Sequence, residues 1–253
     1  MIQSEVKLEP ISHTYQDREG NSYTSVTRLL DTIGFKDDWD SIAGKVAGRG
    51  KFTGMSKDDV LKAWDENRDK AARHGTRIHN ALEKYGQTFS VEEGDRDLEE
   101  MVKMVYRDYV DYDLSYDELC LYSKKYMVAG TADKILIPDK KNGLFDVADY
   151  KTNISKGIEY CSKDGRMLYA PVDHLSDCNY NKYALQLSIY AYMFECLTGM
   201  TCRKMWITFI PPGDYTKFYK IPVVYLKTDA IALLDSFLLK NLIKDSETEI
   251  PIF

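Results

Sequence analysis

Residues 130–151 constrain the fold more than any other stretch, because they read as two β-strands joined by a tight turn with three ionisable side chains sent to one place. Gly-Thr-Ala-Asp-Lys-Ile-Leu-Ile leads into Pro-Asp-Lys-Lys-Asn-Gly and returns as Leu-Phe-Asp-Val-Ala-Asp-Tyr-Lys. Strand residues two apart share a face, so Asp149 and Lys151 end a row begun by Phe145 and Val147. On the outgoing strand the row Ala129, Thr131, Asp133, Ile135, Ile137 is interrupted by one carboxylate. A turn at 139–143, with Gly143 supplying a positive φ, sets Asp133 directly opposite Asp149. Like charges facing each other destabilise a sheet unless something positive lies between them. A divalent cation, with Lys151 beside it, answers that need, and carboxylates are the ligands that Mg²⁺ or Mn²⁺ prefer when they also hold phosphate oxygens.

Composition narrows the context. At 253 residues and 44% apolar content the chain can build a sizeable core. No apolar run approaches the roughly 18 residues of a membrane span, and Met-Ile-Gln-Ser-Glu-Val-Lys lacks the form of a signal peptide. A cytoplasmic location is expected, that of the host if the protein is phage-encoded, with no membrane partner. Cys120, Cys161, Cys178, Cys196 and Cys202 are odd in number and widely spaced, which suggests neither a disulfide framework nor a zinc ribbon. The net charge of −6 argues against nucleic acid until it is located: residues 90–118 hold 11 acids against 3 bases, leaving 31 bases against 29 acids elsewhere.

Along the chain, 13–23 read as a small hairpin around Glu19-Gly20-Asn21, with His13 a packed strand residue, and Ser25 or Thr27 caps a short helix through Leu30. Residues 41–57 are glycine-rich and basic without an acid, yet they fail the G-x-x-x-x-G-K-[ST] phosphate-loop template. Lys45, Arg49 and Lys51 fit sequence-independent contact with a DNA backbone, and the stretch equally fits a solvated linker. Asp58 is positioned to cap a long helix to about Tyr85 that puts His79 and Glu83 on one face, with His74 off it. An acidic helix with the apolar stripe Leu98, Met101, Val102, Val105 and Tyr109 follows, then a strand from about Glu118 to Met127, Glu118 being an accessory carboxylate or a solvated strand end. No periodicity is visible from 152 to 180, where Lys156, Lys163 and Arg166 suit a flap over substrate. A helix over 183–198 places Gln186 and Tyr190 one turn apart; strands at 204–210 and 217–224 and a helix from Thr228 to about Ile243 complete the chain.

Taken in order, Gly75-x-x-x-His79, Gly130-x-x-Asp133, Asp149-x-Lys151 and Gln186-x-x-x-Tyr190 resemble the signature of the RecB-type branch of the PD-(D/E)XK nuclease superfamily. Within it the chain is most similar to phage exonucleases and the mitochondrial genome maintenance exonuclease, over roughly residues 64–200. The resemblance implies an α/β, restriction-endonuclease-like core with a central mixed sheet flanked by helices. On that basis residues 1–57 form an N-terminal hairpin, short helix and glycine-rich basic loop, and 58–253 the nuclease core with a 152–180 loop insertion. It implies His79, Asp133, Asp149 and the Tyr150 carbonyl as metal ligands, Lys151 as the catalytic lysine beside Asp133 and Asp149, and Gln186 and Tyr190 as residues that steady DNA. Glu83 and Glu118 are accessory. Pro138-Asp139 is a literal "PD", but Asp139 lies roughly 20 Å along the strand from Asp133, too far to share an ion with Asp149.

The implied reaction is hydrolysis of DNA phosphodiesters with one or two Mg²⁺ or Mn²⁺ ions, as an exonuclease in recombination, repair or replication. Some RecB-type members carry an iron–sulfur cluster on one early and three grouped late cysteines; this spacing is missing, so no cluster is expected. By analogy a single-strand annealing protein or a replication factor is the expected protein partner. Processivity without a helicase motor requires a ring or a threading arch. A structure-specific endonuclease of the same fold is the nearest alternative. A passive DNA-binding or scaffolding module has no need of an unshielded carboxylate pair, and an acid/base hydrolase leaves Lys151 without a task.

Overall fold

The computed structural model describes residues 4–9, 14–152 and 157–248. His13 and Lys156 lie outside them. An eight-stranded mixed sheet runs through the molecule: β1 (Lys7–Glu9), β2 (Thr14–Gln16), β3 (Ser22–Ser25), β4 (Leu114–Ser123), β5 (Val128–Asp139), β6 (Leu144–Lys151), β7 (Thr201–Phe209) and β8 (Tyr219–Val223). The order is β1-β2-β3-β5-β6-β7-β8, with β4 on the far edge of β5. The β3–β5 and β6–β7 pairs are parallel and the others antiparallel. Helices α1 (Val26–Leu30), α5 (Asn179–Thr198) and α6 (Lys227–Thr248) cover one face, and α3 (Lys57–Thr88) and α4 (Glu99–Arg107) the other. Among the described residues no helix is long and apolar enough to cross a membrane.

The sequence explains most of these elements. The expected first hairpin forms with Tyr15 opposite Tyr23, and the Ser25 hydroxyl accepts from the Arg28 amide to start α1. The expected central hairpin forms as β5 and β6. Several boundaries differ from the expectations, α6 (Lys227–Thr248) starting ahead of its expected cap Thr228 and β7 three residues early. The cap of α3 is Ser56, not Asp58, because Ser56 and Asp59 satisfy each other's backbone amides in a capping box. The supposed glycine-rich loop contains α2 (Trp39–Val46), capped by Asp38 and followed by a 3₁₀ turn at Gly50–Phe52. Packing of Trp39 and Phe52 on Trp64 of α3 overrides the helix-weakening glycines there. Helix α5 begins four residues before its expected start, its first turn being too polar to show a period. Strand β4 begins at Leu114, four residues before its expected start.

One feature of the topology opens the sheet. Along one edge of β5, β4 pairs in one register from Ser123–Val128 to Leu114–Ile137, passing over the Glu118–Asp133 step. The opposite edge is shared: β3 takes Val128 and Ala129, and β6 takes β5 from Lys134 onward. Between them, residues 130–133 have no strand partner on that side, so the sheet splits where Asp133 stands.

Candidate active site

The β5–β6 ladder reaches Lys134–Ala148, which makes Asp133 and Asp149 the next step in register. In place of a further ladder bond the Asp133 carboxylate accepts from the Tyr150 amide at 2.7 Å. On the other side of β5 the register runs from Asp117–Lys134 to Leu119–Ala132, which puts Glu118 opposite Asp133. Three carboxylates on three neighbouring strands therefore stand in one line.

The strands roll over at these acids. In β4, Leu114 and Tyr116 pack toward α5 before the site, and Leu119 and Leu121 after it, so the buried face changes parity between them. In β5, Val128 and Ala132 pack on that face before Asp133, and Ile135 and Ile137 after it. Glu118 carries the conformational cost, with a left-handed φ of 47° that non-glycine residues rarely adopt. Both strands turn together, so the register is unbroken while the side chains at the switch face the cleft.

Two glycines let the helices close on this point. A Cβ at Gly75 of α3 would lie 3.2 Å from the Thr152 hydroxyl, just beyond Lys151. A Cβ at Gly130 would lie 2.6 Å from the Tyr190 ring on α5. Helix α3 thus delivers His79 to the carboxylates: Nδ1 is 3.6 Å from Asp133 and 3.8 Å from Glu118, and Nε2 contacts the Tyr150 carbonyl at 3.1 Å. With Nε2–H donated to that carbonyl, Nδ1 faces the acids, the nitrogen an imidazole presents to a metal once its Nδ1 proton has left. Ligand atoms of His79, Glu118 and Asp133 all lie within 4.8 Å of one another.

Electrostatics show a cluster short of positive charge. Asp133 is pushed up to about 7, first by burial and then by the charge of Asp149. Burial works against a charged His79, but Asp133, Glu118 and Asp149 outweigh it and raise the imidazole to about 9. Lys151 is raised on the same balance, burial opposing and Asp149 and Asp133 prevailing, so it stays an ammonium. Its Nζ lies 2.5 Å from Asp149 Oδ2, a carboxylate side chain only 4% exposed, and 4.9 Å over the Tyr183 ring. Glu83, one turn beyond His79, is raised by burial and by Glu118, and accepts from Gln87.

A polar cleft of about 460 Å³ opens over the cluster, walled by Gly75, His79, Glu83, Glu118, Lys151 and Thr152. On the α5 side, Tyr183, Gln186 and Tyr190 follow at helical spacing. Tyr190 is 4% exposed and its hydroxyl accepts from Gln186 at 3.2 Å, so it supports Gln186 and does not itself face solvent. Lys45, Arg49 and Lys51 are exposed but stand apart. They belong to the unit packed on Trp64, which lies fifteen residues, or about 22 Å of helix axis, from His79. Asp139 sits at the hairpin tip, accepting from Lys141 and Asn142, away from the cluster. Arg166 pairs with Asp37 and Asp164, and Lys163 with Glu159.

Glu118 is the site residue that the sequence undervalued. Its signal was the slip in apolar alternation between Leu114, Tyr116 and Leu119, Leu121, which marks a residue forced off both faces.

No protein-family model matches the chain, and no curated protein matches it. Among solved structures, the chain is similar to a candidate exonuclease from Eubacterium rectale, at 11% identity and a TM-score of 0.41, over 90% of this chain and 83% of that one. It is also similar to a protein designated SSO0001, at 14% identity and a TM-score of 0.33, over 85% of this chain and 83% of that one. At these scores neither likeness carries weight, and function has to be read from the residues of the cleft.

Proposed function

We propose that the protein is a Mg²⁺- or Mn²⁺-dependent deoxyribonuclease with a RecB-type PD-(D/E)XK centre, acting as an exonuclease. The observation that carries this reading is the meeting of Asp133, Asp149 and Lys151, all from one hairpin, with His79 and Glu118 at the split in the sheet. Hard oxygen donors with one imidazole suit a small divalent cation, and the upward push on Asp133, from burial first and Asp149 second, is one that a cation among these groups would offset. His79 through Nδ1, Asp133 and Asp149 are the ligands, with Glu118 added from β4, while the Tyr150 carbonyl, expected as a further ligand, instead accepts from His79 Nε2–H and fixes the imidazole. A bound ion supplies an acidified water and charge neutralisation at the phosphate.

The chain's own groups do the rest. The Lys151 ammonium, held charged by Asp149, offsets the phosphate and orients the attacking water, a task for a fixed cation in a partly dry site. Gln186, buttressed by buried Tyr190, steadies the strand from the α5 side. Glu83 adds a further carboxyl to the cleft wall. A role in recombination, repair or replication follows from such an activity, and a strand-annealing protein or replication factor is the partner class it would serve.

The deciding experiment follows digestion of linear DNA, labelled at one end, beside a closed circle of the same sequence, with Mg²⁺ or Mn²⁺ and with chelator. Metal-dependent loss of the linear form alone is the expected result, and the order of label release gives polarity. Cutting of the circle would make it an endonuclease. Inertness of both DNAs under either metal would refute the nuclease reading.

A further inference from the structure

The N-terminal half of α3 stands away from the body of the protein. None of residues 62–73 is buried, and what packs on this half is α2 with the turn that follows it. Three aromatic rings meet there. Trp39 lies edge-on to Trp64 with centroids 5.7 Å apart, and Phe52 lies edge-on to Trp64 at 5.8 Å. Trp39 is nonetheless 59% exposed, and with Leu61 and Trp64 it walls a groove of about 470 Å³. An indole that only stapled α2 to α3 would be expected to turn its face inward.

The charge beside these rings is unusual. Lys57 pairs with Asp40, and Arg68 with Asp65 and Asp69. Lys45, Arg49 and Lys51 are exposed, and among the described residues no carboxylate pairs with any of them. Gly48, Gly50 and Gly54, all at positive φ, leave the backbone bare at those three positions between the basic and aromatic side chains. Lys51 lies over the Phe52 ring at 4.9 Å, so cations without a carboxylate partner share this end of the molecule with an open indole, which matches a ligand with both phosphates and bare aromatic faces.

We propose that this projecting end is a stacking platform for single-stranded DNA, with a base on the open face of Trp39 and flanking phosphates on Lys45, Arg49 and Lys51. It rests on the reading of the distant cluster as a DNA-cleaving centre, which is what fixes the ligand as DNA. Duplex DNA is disfavoured because its bases are already stacked on one another, so a duplex would engage the cations and leave the indole idle. The platform lies about 22 Å from His79 along α3, which corresponds to six or seven stacked nucleotide steps at roughly 3.4 Å each. The strand is thus gripped well away from the bond that is cut, and substrate length sets how much of the grip is engaged.

Binding of oligothymidylates and of a blunt duplex, measured by anisotropy in chelator, tests this without turnover. Wild-type affinity should rise in a step once the strand exceeds about seven nucleotides. Trp39→Ala should weaken a thymidine 20-mer roughly tenfold, the worth of one stacked base, and Trp39→Phe should restore most of it. Replacing Lys45, Arg49 and Lys51 together by Ala should reduce the salt dependence of 20-mer binding by the equivalent of about three phosphate contacts. Unchanged 20-mer binding by Trp39→Ala overturns the platform, as does an equal loss on duplex. Because no cleavage is read, an inert cluster would leave this result standing, and a failed platform would leave the cluster's reading intact.

Discussion

Replacing Asp133 by Asn should stabilise the metal-free protein while abolishing its activity. Asp133 rises from an ordinary 3.8 to about 7 because burial and Asp149 disfavour its charge, even after His79 and Lys151 have helped. A carboxyl whose folded value is raised binds its proton more tightly in the folded state. Stability is therefore unaffected below about pH 4, falls as pH climbs from there to about 7, and stays reduced above it. At about 1.4 kcal/mol per pH unit the full penalty is about 4 kcal/mol. Asn keeps an oxygen to accept from the Tyr150 amide but brings an NH₂ that needs a partner, which takes back about 1–2 kcal/mol. The expected net gain is about 2 kcal/mol at pH 8 in chelator, or roughly 4–8 °C in Tm for a chain of this size. Urea denaturation at pH 4 and pH 8 checks it, since the gap should close at the lower pH. Saturating Mn²⁺ at a hundred times its Kd should then stabilise wild type by about 2.7 kcal/mol and the variant hardly at all, reversing their order. A variant less stable than wild type at pH 8 without metal would refute the claim that burial and Asp149 penalise the Asp133 carboxylate.

Other substitutions separate chemistry from packing. Lys151→Ala should retain DNA binding in chelator and lose about 10²–10³-fold in cleavage rate, as when one preorganised electrostatic group is removed; unimpaired cutting would sink its assignment. Because His79 holds a proton up to about pH 9, a cation taking Nδ1 must expel it, so Mn²⁺ affinity should climb between pH 7 and 9. Calorimetry in buffers of different ionisation enthalpy would register close to one proton released per ion at pH 7.5 and almost none above pH 9.5, whereas a pH-independent heat would exclude His79 as a ligand. Gly130→Ala forces a methyl to 2.6 Å from the Tyr190 ring and 3.1 Å from Val26, and should cost about 1–3 kcal/mol in denaturant unfolding.

How far the sequence could be read depended on whether a residue's partners were local. The shared face of Asp149 and Lys151 and the placing of Asp139 at the turn follow from the period of a strand and the length of one turn, and the β5–β6 ladder runs in the expected register as far as Lys134–Ala148, one step short of Asp133 and Asp149. The meeting of His79 with Asp133 depends on where α3 crosses the sheet, which only the motif resemblance suggested. Gly75 and Gly130 show why that crossing takes small residues, since a Cβ at either would press on the Thr152 hydroxyl or the Tyr190 ring. Glu118 was hidden for a different reason: strand reasoning assumes one parity from end to end, and β4 and β5 both abandon theirs at the site. A regular strand would put Glu118 and Asp133 firmly on one face of the sheet, against one layer of helices only. By rolling at that step, the two strands aim their acids into the split between β3 and β6, where α3 reaches from one face and α5 from the other. The left-handed Glu118 is thus the local cost of a cleft that residues of both helical layers can share, and its strain is consistent with a site selected for chemistry over stability.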